Sequence, residues 1–134
     1  MKTMQIILLL LMPVFAFAVD ESEISNAVNA RIALLQTESA QLESAINTLS
    51  TMQLTDTEKF ELIAVASFNA SDEVVASYGF TLKQLYAFEA RNEAEIATWL
   101  DAHPDQGVQI NTLEANIESL QGQFDQVINT EAVQ

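Results

Sequence analysis

From Val28 to Leu49 one apolar seam runs through Val28, Ile32, Leu35, Leu42, Ile46 and Leu49, with Ser39 filling the one gap in the series. The steps alternate four and three, the spacing of one stripe along an α-helix and of a heptad seam. A second series, Ile110, Leu113, Ile117, Leu120, Phe124 and Val127, repeats the pattern without a polar interruption. Neither alternates with period two, so neither reads as a strand. Two long helices follow, over residues 23–52 and 107–129, the first about 45 Å long at ~1.5 Å per residue. Ser39 in an aliphatic seam is the kind of small polar residue that fixes register or oligomer state.

Turn punctuation is scarce. The whole chain of 134 residues holds 3 glycines and 2 prolines, which argues against a many-turned β fold. What punctuation there is divides the middle into short helices. Thr55-x-x-Glu58 and Thr81-x-x-Gln84 are capping boxes. Ser71 is placed to cap a helix whose first turn carries Asp72 and Glu73, and Gly79 to end it in the left-handed conformation. The helix opening at Thr81 runs to Trp99-Leu100 and stops at "DAHPDQG". Apart from Phe124, the aromatic residues beyond the leader fall in this middle: Phe60, Phe68, Tyr78, Phe80, Tyr86, Phe88 and Trp99. The expected fold is therefore all-α. Two long heptad-patterned helices, paired antiparallel, flank a compact head over residues 56–100. A plain bundle with the long helices folded over the middle, and pairing of the seams between chains, satisfy the same pattern.

The first residues belong to a different argument. Lys2, the apolar run Ile6 to Phe17 and "AFA" at Ala16-Phe17-Ala18 have the layout of a secretory leader cut after Ala18. From Ile6 to Val19 there are 14 residues, short of the ~20 that a membrane-crossing helix needs. Removal of residues 1–18 leaves 116 residues, one helical domain over 19–134, and no stable membrane anchor. Lys2 leaves with the leader, so 4 basic residues face 19 acidic ones, a net charge of −15. Such a balance repels nucleic acid and anionic lipid and favours a neutral or basic protein partner. With no cysteine the exported domain holds together by packing alone. These features fit a bacterial periplasm or exterior. "NAS", Asn69 to Ser71, reads as a chance tripeptide and not as a glycosylation site.

"YGFTLKQLYAF" resembles the turn of peptidoglycan-binding LysM modules in Tyr78, Gly79, Thr81 and Leu85, and in outline it is similar to a DNA-reading helix-turn-helix. The first would imply cell-wall binding, but the strand and "GDTL" opening of such modules are missing upstream. The second would need basic residues that the following helix does not supply, with Lys83 and Arg91 against Glu89, Glu93 and Glu95. Both reduce to a corner: glycine ends one helix, threonine caps the next, leucine packs between them.

Chemistry-bearing residues are few. Asp101, His103 and Asp105 could offer two carboxylates and an imidazole to a divalent metal. The spacing misses a calcium loop, since Gly107 stands at the seventh position and Thr112 where the bidentate glutamate belongs. Zinc would need a further nitrogen or sulfur donor. A solvated turn is the preferred reading. Glu89 and Glu93 form an i,i+4 acidic pair with no pocket marked around them. One histidine and no cysteine leave nucleophilic catalysis without its parts. No cofactor pattern is present. The expected role is an exported, non-enzymatic interaction protein, an adaptor, a chaperone-like accessory or an inhibitor, with Tyr78, Phe80 and Tyr86 as the candidate contact surface. Ordinary core is the preferred reading of those three. Coiled-coil self-assembly as a homo-oligomer and a weak metal binder or carboxylate enzyme are the alternatives.

Overall fold

The computed structural model describes residues 19–68 and 72–132. All regular structure among them is helical, in the order α1 (Glu21–Thr51), α2 (Asp56–Phe68), α3 (Asp72–Ala76), α4 (Leu82–Arg91), α5 (Glu93–Ala102) and α6 (Pro104–Ala132). The leader, the Asn69 tripeptide and the Ser71 cap lie outside the described residues. No helix among those described is long and apolar enough to cross a membrane.

α1 is the central rod. Its N-terminus is capped by Asp20, whose carboxylate accepts the Ser22 N–H at 3.0 Å, and Glu21 and Glu23 in the first turn complement the helix dipole. Val28, Ile32, Leu35, Ser39, Leu42 and Leu49 are buried, and Ile46 is half-buried. Ala27, Ala30, Leu34 and Ala45 are buried as well. The buried face is thus wider than a two-position seam, because α1 contacts every other helix: α6, α2, and the head formed by α3, α4 and α5.

The direction of α6 differs from expectation. The Gln106 side-chain amide donates to Asn29 Oδ1 at 3.2 Å, and the Asn116 amide donates to Ser39 Oγ at 2.7 Å. Going from the first pair to the second advances both helices toward their C-termini, so α1 and α6 run parallel, not antiparallel. Further along, Leu42, Ala45 and Leu49 share a core with Ile117, Leu120 and Phe124. Two similar seams specify that helices pair but carry no sense of direction. The connection sets it. α2 lies against α1, with Leu62 and Ile63 in the core shared by the C-terminal halves of α1 and α6. The head packs on the N-terminal half of α1, around Ile24, Ala27, Val28 and Leu34. The chain has therefore returned to the start of α1 before α6 begins. The head sits at one end of the pair and is not flanked by two opposed helices.

Head geometry follows its caps. Gly79 has φ +85°, the left-handed conformation that ends the α3 turn. Gln84 N–H donates to Thr81 Oγ1 at 3.2 Å, and Thr81 N–H to Gln84 Oε1 at 2.9 Å, completing the capping box. Asp72 adds a carboxylate from the start of α3 that accepts the Leu82 N–H at 2.8 Å. Val75 and Leu85 are fully buried where α3 and α4 meet α1. The motif is a corner, and no strand occurs among the described residues.

Two boundaries move. The helix expected to run unbroken to Leu100 is divided at Asn92 (φ −122°, ψ 29°), where the backbone and side-chain N–H groups both donate to the Phe88 carbonyl. An Asn side chain offers the backbone this alternative to helix. α6 begins at Pro104, ahead of the expected residue 107, because proline suits the first helical position. "DAHPDQG" shrinks to a single non-helical residue, His103.

Candidate partner-binding cleft

His103 is forced out of helix by Pro104, which disfavours the α conformation in the residue before it; its φ is −127° and ψ 67°. Its N–H still donates to the Trp99 carbonyl at 2.9 Å, and its Nδ1 lies 2.8 Å from the same oxygen. Four residues apart on one helical face, the two rings stack with centroids 3.7 Å apart and planes 16° from parallel. The indole Nε1–H donates to Gln106 Oε1 at 2.9 Å, and the Gln106 amide reaches Asn29 on α1. This relay ties α5, α6 and α1 together and fixes the tryptophan ring.

Trp99 and His103 line a cleft of about 530 Å³ between α5 and the start of α1. Ile24 and Ala94 give it an apolar lining, and Glu21 and Glu95 bring two carboxylates to it. That is an ordinary size for a pocket taking a small group. None of its described lining residues is lysine or arginine. Comparison with known protein families, with curated proteins and with solved structures finds no match.

A smaller hollow of about 180 Å³ lies on the α1–α4–α6 side and is lined by Arg31, Glu89 and Glu114. Arg31 Nε–H donates to Glu89 Oε2 at 2.8 Å and the Arg31 Nη2–H to Oε1, a two-pronged ion pair. The guanidinium also lies 5.4 Å from the centroid of the Tyr86 ring, within cation–π range. Its pKa is held further above the ordinary arginine value, chiefly by the hydrogen bond to Glu89, with burial opposing.

The residues singled out in the sequence are distributed differently. Tyr78 and Phe80 are half-buried against the head core, and Phe80 meets Phe88 edge-on with centroids 5.6 Å apart. Tyr86 is 46% exposed and serves the Arg31 pair. Two of the three pack against the core, and Tyr86, also read as ordinary core, is instead exposed beside the Arg31 ion pair. Asp101, His103 and Asp105 are all exposed, on the last turn of α5, the junction and the first turn of α6. Among the described residues no group of three His, Cys, Asp or Glu side chains is arranged to hold a metal ion. Glu89 and Glu93 fall on either side of the Asn92 break, on α4 and α5, and Glu89 is taken by Arg31 across 58 residues of sequence.

Sequence reasoning passed over Glu21, Glu95 and Trp99. The usable signal was the Trp99–His103 spacing of four on one helix face, with a lone tryptophan. Nothing in the sequence connected that face to Glu21.

Proposed function

We propose that the protein is exported, is not an enzyme, and acts by binding a neutral or basic protein partner. The observation that carries this reading is the cleft at Trp99: an aromatic and apolar pocket with two carboxylates, held rigid by the Trp99–Gln106–Asn29 relay, on a strongly acidic chain. Charge of this sign steers cationic partners toward such a surface. The leader-like residues 1–18 support export. Self-assembly through the seams is the weaker reading, since α1 and α6 already bury them against each other within one chain.

Cross-linking in the intact producing cell, followed by mass spectrometric identification, tests this. Reproducible capture of one basic or neutral envelope protein is the expected result. Recovery of the protein cross-linked only to itself would replace the partner reading with assembly.

A further inference from the structure

Arg31, Tyr86 and Glu89 show how this fold holds a cation: a guanidinium beside an aromatic ring, met by a carboxylate. The Trp99 cleft repeats the receiving half of that arrangement. It offers a tryptophan, one face of which His103 covers with ring centroids 3.7 Å apart, together with Glu21 and Glu95, and none of its described lining residues is lysine or arginine. Its volume is about 530 Å³, within the range of pockets that admit a small group. Ile24 and Ala94 give apolar surface for the methylene stem of such a side chain. Trp99 has its indole N–H already bonded to Gln106, so a ligand has no need to satisfy it.

We propose that the cleft receives a lysine or arginine side chain from an exposed basic segment of a partner protein, lying against the Trp99–His103 ring pair and paired with Glu21 and Glu95. This deepens the partner reading above and rests on it.

Trp99 is the only tryptophan in the chain, so its fluorescence reports on this cleft directly. The purified full-length protein is titrated with an acetylated, amidated Gly-Arg repeat peptide and, separately, with the matching Gly-Glu peptide. The expected result is a saturable emission change with the arginine peptide only, weakened about tenfold by about 0.5 M salt through screening. The double substitution Glu21→Gln/Glu95→Gln is expected to weaken it by a similar factor, with far-ultraviolet circular dichroism unchanged because both positions are exposed. Thr98→Arg, which places a cation at the cleft from its own wall, abolishes the response. Absence of a saturable change up to about 10 mM arginine peptide, a range that covers even millimolar binding, overturns the proposal. So does an equal response from the glutamate peptide or from the double variant. If cellular cross-linking captures a basic partner while Trp99 stays silent to the arginine peptide, the cleft assignment falls and the partner reading stands. A Trp99 response without any captured partner leaves the cleft an affinity for arginine and overturns its assignment to a partner protein.

Discussion

Ser39 and Asn116 share a hydrogen bond of 2.7 Å across α1 and α6, a polar link within the aliphatic half of the interface. With Asn29–Gln106 nearer the helix starts, it shows the two longest helices to be parallel. Spin labels at positions 29 and 106 and at 39 and 116 should therefore give similar short distances by pulsed dipolar spectroscopy. Labels at 29 and 116 should lie farther apart, because about ten residues at ~1.5 Å each separate their levels along the axis. The absence of cysteine lets each pair be introduced without background labelling. An antiparallel pair would give the opposite order.

The helices themselves were legible because periodicity and caps are local. Thr81, Gln84 and Gly79 act within a few residues of one another, and their geometry is as read. Helix direction was not legible, since Val28 to Leu49 and Ile110 to Val127 would match in either sense. Direction came from where α3, α4 and α5 pack, which depends on side chains such as Val75 and Leu85 meeting α1. The same limit hid the Trp99 cleft, which brings Glu21 from one end of the chain to Glu95 on α5. A pairing such as Arg31 with Glu89 leaves no trace in spacing at all.

That pair should matter to stability. The Arg31 and Glu89 side chains are 30% and 25% exposed, so solvent screens them less than a surface pair. Glu89→Gln leaves a partly desolvated guanidinium without its carboxylate and should cost about 1–3 kcal/mol. The double variant Arg31→Met/Glu89→Leu should recover most of that loss, because neither charge remains to be desolvated. Urea unfolding of the three proteins provides the comparison, and a double variant less stable than Glu89→Gln would contradict it.

Burial separates two other positions. Leu85 is 0% exposed at the α1–α3–α4 junction, and Leu85→Ala should destabilise the fold by about 2–5 kcal/mol. Phe60 is 72% exposed on α2, and Phe60→Ala should stay within about 0.5 kcal/mol. Thermal melting distinguishes them at once. A large loss at Phe60 would mean that its ring is covered in solution.

Glu58 gives a pH-dependent test. Its Oε2 accepts the Thr55 N–H at 2.8 Å and the Thr55 hydroxyl at 2.9 Å, and these bonds, the backbone one first, hold its carboxyl pKa below the ordinary value. The carboxylate form is the one the cap binds. Its contribution to α2 is therefore present above the unfolded carboxyl pKa and is lost as pH falls through the lower folded value. A carbon-detected NMR titration should place the Glu58 midpoint below that of an unstructured glutamate. Thr55→Ala removes the hydroxyl bond and should raise the midpoint.

Gly122 offers the reverse kind of change, a gain. It lies inside α6, exposed, with φ outside the left-handed region, and a Cβ built there would meet nothing within 4 Å. Among the described residues no close crossing accounts for it. Gly122→Ala should therefore stabilise the protein by about 0.5–1 kcal/mol, through helix propensity and the narrower unfolded ensemble. Gly79→Ala is the control of opposite sign, since at φ +85° an alanine Cβ is strained and stability should fall. The two substitutions are chemically identical and differ only in the backbone that receives them. Measuring the first across a hundredfold range of protein concentration adds a further discrimination. If a second copy packed its helix against α6 at Gly122, the added methyl would obstruct that contact, and the gain would shrink or reverse as concentration rises. A constant gain fits an open α6 surface at that position.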